Sequence, residues 1–305
     1  MSDTSDRAIV RTSESPRLRP VARVRDIWSF REILVNLVRK ELKVKYTKSV
    51  LGAAWSMLNP LFYLAVFSFV MHVIGRPVPD FPIYLLSGVV AWNFFSGSLT
   101  LATRSIIDNT SLVKKVYFPK EILPLAAVGT SLVDFVLQYM VLIAYMLITG
   151  YSFLGWNTLL FIPATVTMLI VTVAISFWVA AVNVTYRDVQ HLLNLLLLAW
   201  FWLTPIVYPA ALLQEKANSI SIGGLSAFWF YFINPMGSVV MGFQRALYAV
   251  VAPIGAGGQP QQVLADLTLG QLWLILTVVG VAGLGLLWFC WGTFFRLSGD
   301  FAEEL

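Results

Sequence analysis

The sequence predicts an all-α polytopic membrane protein: six transmembrane helices, an N-terminal amphipathic interfacial helix, and short re-entrant helices on the outer face before the last span. Two observations carry this. Hydrophobic residues fill 58% of the 305 positions, charged residues only 12%, and mean hydropathy is +0.76. A soluble domain is about a quarter charged, so there is too little charge to cover a water-soluble globule. The apolar residues also gather into stretches of the roughly 20 residues that a helix needs to cross a bilayer.

Residues 1–25 are polar and rich in Ser, Pro and Arg, with no apolar core of a signal peptide. They are expected to form a disordered cytoplasmic tail. Residues 26–48 differ. Phe30, Ile33, Leu34, Leu37, Val38 and Leu42 recur at helical spacing, while Arg31, Arg39, Lys40 and Lys43 occupy the opposite face. A helix with an apolar stripe and a basic face lies in the membrane interface. Its basic face can hold lipid headgroups or a protein partner.

The remainder, 49–305, forms one transmembrane domain, with spans expected near 51–74, 82–103, 123–148, 158–182, 192–209 and 269–294. Residues 220–244 carry no charge, but Gly223-Gly224 and Asn234-Pro235 interrupt them. Broken apolar helices of this kind enter a membrane without crossing it, so two re-entrant helices are expected near 224–233 and 236–250. No two halves of the chain resemble each other.

Orientation follows from Lys and Arg. Twelve precede the first span; Arg104, Lys114, Lys115 and Lys120 lie in the 104–122 loop; Arg187 and Arg296 lie further on. Arg76, Lys216 and Arg245 fall on the other side. Basic loops stay in the cytoplasm. Both termini are therefore expected inside the cytoplasmic membrane, and the net charge of +5 reflects topology rather than nucleic-acid binding.

Few enzyme chemistries survive inspection. There is no G-x-x-x-x-G-K-[ST] phosphate loop. Cys290 is the single cysteine, and His72 and His191 lie far apart, so neither a disulfide nor a metal site is expected. Asp134 is the carboxylate placed within a span. Such a residue needs a partner or water: it could line a pathway or make a packing contact with Ser131, Tyr139 or another span, and packing is preferred.

The loop 108–124 is the most informative short segment. Asp108, Asn109 or Ser111 can cap a short helix, which Pro119 stops. That helix presents Leu112, Val113, Val116 and Tyr117 beside Lys114 and Lys115. It suits docking in another protein's cleft, or resting on lipid headgroups.

The run YTKSVLGAAWSMLNPL (46–61) resembles the entry to the first span of ABC-2 type permeases that export polysaccharides. VKKVYFPKEILP (113–124), NVTYRDV (183–189), LTPIVYP (203–209) and INPM (233–236) are similar to that family too, in matching order. The resemblance covers about 30–300. It implies two copies of this chain above a dimer of separate ATPase subunits, which would bind the ATP and Mg; the chain itself is expected to hold no cofactor. The helix at 111–118 would be the coupling helix, Arg187 and Asp188 a second contact, and 26–48 a brace. The implied substrates are lipid-linked glycans on an undecaprenyl-type carrier, including O-antigens, teichoic acids and galactans.

A path for sugars needs weak, repeated contacts with aromatic faces. Tyr63, Phe67, Trp200, Trp202 and Tyr208 are the candidates, and Tyr63 and Phe67 share a helical face at i and i+4. The competing explanation is the aromatic belt of any membrane protein. Two other functions stay open: an ABC-2 permease for a small molecule or lipid, and a membrane-embedded polyprenyl-linked sugar transferase using Asp108, Glu121 and Asp188.

Overall fold

The computed structural model describes residues 20–47, 49, 51–52, 54–74, 78–152, 154–248 and 262–305. Residues 1–19 of the expected tail, and 249–250 of the expected second re-entrant helix, lie outside the described residues. The described chain is almost wholly helical, as expected, and five helices are long and apolar enough to cross a membrane. These are α3 (Ala54–Ile74), α4 (Phe81–Arg104), α6 (Ile122–Thr149), α7 (Phe161–Thr185) and α12 (Leu269–Leu297). A 3₁₀ turn, Trp156–Leu160, leads into α7.

Helix α4 is the centre of the bundle: 72% of its most apolar stretch is buried, against 11% for α3. It packs on α6, α7 and α11 (Pro235–Leu247), and α7 packs along α12. Small residues permit this closeness. A Cβ on Gly88 would come within 3.1 Å of Val240, and one on Gly283 within 3.2 Å of Ile170 and Val171. Close backbone approach is how helices associate where no water drives them together.

Four expectations change. The amphipathic helix begins earlier and is broken: α1 spans Pro20–Ser29 and α2 spans Arg31–Tyr46, divided where Phe30 leaves helical geometry at φ −98°, ψ 18°. Residues 20–25 are thus helical rather than tail. The stretch 192–209 is not one continuous helix. Helix α8 (Val189–Leu203) has only 15 residues, about 22 Å at 1.5 Å per residue. Pro205 ends it, because the residue before a proline is pushed to extended geometry, and Thr204 stands at φ −100°, ψ 134°.

The helix expected at 111–118 is shorter, α5 (Thr110–Lys115), and Val116 is already extended. Asn109 sits at its N-terminus without capping it; its Oδ1 accepts from Lys40 instead, while its amide donates to the Ser105 carbonyl. Finally, the first re-entrant helix reduces to α10 (Ala227–Phe230) and a 3₁₀ turn, Tyr231–Ile233. Before it come α9 (Ala210–Asn218) and a two-residue hairpin, β1 (Ser221–Ile222) with β2 (Leu225–Ser226). Gly223 and Gly224 turn that hairpin at φ +58° and +85°, which a side chain would strain.

The helix ends sort into two groups. At one end, Arg23 of α1 and Trp291 of α12 both bond to Glu121, just before α6. Thr185, closing α7, bonds to Glu304 of α13 (Phe301–Glu304) at the same end. At the other end, the Tyr84 hydroxyl near the start of α4 donates to the carbonyls of Pro205 and Tyr208. The first and last described helices therefore lie at the same end of the bundle.

Candidate functional site

The end that gathers α1, α5 and α13 is the basic one. Helix α5 fixes itself by one face: Val113 is buried in a cluster with Leu37, Ile106, Phe118 and Ile122, and Leu112 packs on it. This leaves Ser111, Lys114, Lys115, Val116 and Tyr117 exposed, with Tyr117 91% accessible. Arg187 and Asp188 are also exposed, in the turn between α7 and α8. Helix α2 supports this end. Its stripe of Phe30, Ile33, Leu34, Leu37 and Val38 rests on the protein cluster around α6. Its Arg31, Arg39, Lys40 and Lys43 face outward, and Lys40 donates to Asn109 Oδ1 at 2.8 Å, bracing the entry to α5.

The link from α5 to α6 is tied down by charge. Glu121, wholly buried, accepts two bonds of 2.8 Å from the Arg23 guanidinium. Burial alone opposes the Arg23 charge, but the hydrogen bonds and attraction of Glu121 outweigh it and raise the guanidinium pKa above its usual value. Burial lowers the neighbouring Lys120 ammonium, against the pull of Asp300 and Glu121.

The second region is a polar cleft of about 790 Å³ between the end of α2, α3, α4 and α6. Asn93, Ser96, Gly97 and Thr100 line it from α4; Thr130, Ser131, Asp134 and Gln138 from α6; Trp55, Ser56, Asn59, Phe62 and Tyr63 from α3; and Glu41 and Lys45 from α2. Asp134 organises its wall. Lys45 donates to Oδ2 at 2.7 Å, while the hydroxyls of Tyr46 and Ser56 donate to Oδ1 at 2.9 and 2.8 Å. Asn93 donates to Gln138 at 3.1 Å. Ser131 is 3% exposed and its hydroxyl has no partner. The cleft offers spare donors and acceptors between aromatic walls, inside helices otherwise apolar enough to span lipid.

The family profile for ABC-2 type transporters matches residues 33–248, which run from α2 through α11. The chain belongs to the ABC-2 type transporter family. Among its curated relatives, an O-antigen export system permease protein, RfbA, from Myxococcus xanthus is 34% identical over 255 residues, covering 82% of this chain and 92% of that protein. A Klebsiella pneumoniae O-antigen export permease is 29% identical, covering 70% of this chain and 79% of its own length. The polysialic acid transport protein KpsM of Escherichia coli is 24% identical, covering 67% and 76%.

Within this ABC-2 chain four of the expected channel residues, Tyr63, Phe67, Trp202 and Tyr208, are linked to one another, and Trp200 is set apart. Tyr63 lines the cleft. Phe67 stacks on Tyr63 at 6.1 Å and meets Phe201 and Trp202, forming an aromatic seam between α3 and α8. Trp200 faces the opposite way, donating to Asn234 at 2.7 Å beside an apolar groove. Trp202 is exposed, and Tyr208 donates to the Trp202 carbonyl. The carboxylates considered for a transferase stand apart: Asp108 is exposed beside Arg104, while Glu121 is locked to Arg23. Among the described residues no group of three or more His, Cys, Asp or Glu could hold a metal.

The polar lining was missed. Its signal is in the sequence nonetheless: Asn93, Ser96 and Thr100 on α4, and Ser131, Asp134 and Gln138 on α6, recur at three, four and seven residues, one helical face each. Lys45 and Arg23 gave no such signal, because only the packing of α1 and α2 brings them to carboxylates 89 and 98 residues away.

Proposed function

We propose that this chain is the transmembrane subunit of an ATP-driven exporter of lipid-linked, undecaprenyl-type polysaccharide across the cytoplasmic membrane. Two copies pair, and an ABC ATPase dimer, binding ATP and Mg, docks on the basic end, which faces the cytoplasm. Ser111, Lys114, Lys115, Val116 and Tyr117 form the coupling contact, with Arg187 and Asp188 beside it. The chain crosses six times, α8 and the extended Thr204–Pro209 stretch making the fifth crossing, and the α10–α11 region enters the outer face without crossing.

The polar cleft carries this reading. Hydroxyls and amides cannot face hydrocarbon without cost, and α3, which walls the cleft, is otherwise thinly covered. A second copy across α3 and α8 would close the cleft into a path. Its amides and hydroxyls match sugar hydroxyls, and Trp55, Phe62 and Tyr63 match the apolar faces of sugar rings. That chemistry favours a glycan over a lipid or small apolar molecule, and the relatives named for O-antigen and polysialic acid export agree with it.

The test fills the cleft. In cells lacking their own copy, the triple variant Asn93→Leu, Ser131→Leu, Gln138→Leu should abolish surface display of the envelope glycan while the protein still reaches the membrane and co-purifies with the ATPase. Wild-type display from the filled cleft would overturn the assignment.

A further inference from the structure

We infer that Arg23 is a positioning residue of the transport cycle: its ion pair with Glu121 clamps the link between α5 and α6, so that displacement of α5 moves the span. The inference rests on α5 being the ATPase contact.

Glu121 closes the six-residue link 116–121 between α5 and α6, of which Phe118, Pro119 and Glu121 are buried. Both of its oxygens receive the Arg23 guanidinium in a bidentate pair, the strongest and most directional form of this contact. The Trp291 indole donates to the same carboxylate at 3.3 Å, and the guanidinium lies 5.1 Å over the Phe295 ring. One step back, Lys120 donates to the Ser298 carbonyl and lies over Phe301. Both charged residues of the link are therefore tethered, one to α1 and one to the end of α12.

An apolar residue would serve the packing equally well. Buried ion pairs are weak contributors to stability and are best attested as devices that fix register. Here the register fixed is that of a short helix followed by extended backbone at Val116. Without the clamp, α5 could tilt at Val116 and Tyr117 and leave α6 behind. With it, α1, the base of α6 and the end of α12 respond as one body. Arg23, Trp291 and Phe295 fall outside the 33–248 family match and Glu121 inside it, so the clamp ties the matched region to its flanking segments.

The experiment uses the full-length chain, co-purified with the ATPase from its own cells, and the variants Arg23→Ala, Arg23→Lys, Glu121→Gln and the swap Arg23→Glu with Glu121→Arg. Complex yield, ATP hydrolysis and surface glycan are measured together. Arg23→Ala and Glu121→Gln should keep the complex and its ATP hydrolysis but lower glycan displayed per ATP by about tenfold, within the range for residues that couple two sites. Lys, which cannot make the fork, should fall between, and the swap should restore part of the loss. In the purified chain alone, Arg23→Ala should raise amide exchange over 107–121 and leave 129–149 unchanged.

Wild-type glycan per ATP in Arg23→Ala would overturn the inference. So would a parallel loss of complex and export that the swap does not relieve, with exchange raised throughout, which marks a structural role. A wild-type chain that binds no ATPase would instead overturn the docking reading of α5.

Discussion

A single carboxylate in a span shows how one residue organises several elements. Asp134 would cost about 2.5–3.5 kcal/mol at the centre of an isolated helix, and its three donors offset this. A hydrogen bond to a charged group contributes about 1.5–3 kcal/mol, but Lys45 is 42% exposed and its share is discounted for screening. Asp134→Ala should therefore lower stability in detergent by about 2 kcal/mol, and Lys45→Ala by distinctly less, because Tyr46 and Ser56 remain. Thermal unfolding of the two variants checks the ranking; an equal loss would contradict it. Gly237 is the second such point. A Cβ there would meet the Tyr231 ring at 2.6 Å, and Tyr231 holds the Leu203 carbonyl at 3.0 Å. Gly237→Ala should cost about 1–3 kcal/mol by overpacking, read as a lower Tm in detergent.

At the scale of elements, α5 separates its two duties by face. Val113 anchors it and Tyr117, just beyond its end, projects from it. Tyr117→Ala should leave yield and thermal stability unchanged yet weaken co-purification of the ATPase, whereas Val113→Ala should lower stability first. If Tyr117→Ala binds the ATPase as wild type does, the exposed face is not the contact. The same elements show what was legible beforehand. The long spans were, because twenty apolar residues have few alternatives in water or lipid. The length of α8 was only half legible: Pro205 carries the signal for its end, but 192–209 is as apolar as a span and was read as one. The apolar stripe of α2 was legible as a stripe, yet not its partner. Periodicity gives a face and does not say whether lipid or α6 lies against it.

For the whole molecule, the uneven covering of its helices matters most. Helix α4 is enclosed, while Phe62, Val66, Phe69 and Val73 on α3 and Leu195, Leu198 and Trp202 on α8 are exposed. Exposure alone fits lipid, but the cleft beside α3 is polar. In a Cys290→Ser background, Val66→Cys should cross-link two copies in membranes, whereas Leu147→Cys, more exposed on α6 but away from the cleft, should not. Cross-linking at both or at neither would remove the proposed pairing across α3 and α8.

The sequence by itself determined that this chain lives in a membrane, that its basic segments share one side, and that its motifs are those of an ABC-2 permease. Composition, charge bias and short motifs are local properties, and they survive without knowing which helix touches which. Tertiary structure alone decided where the charges end. Arg23 read as part of a polar tail and Lys45 as one of the basic residues that set orientation, and they became the partners of Glu121 and Asp134. The reason is the low-dielectric interior: a buried carboxylate needs a counter-charge, and only the folding of α1 and α2 against α6 could supply it from so far along the chain.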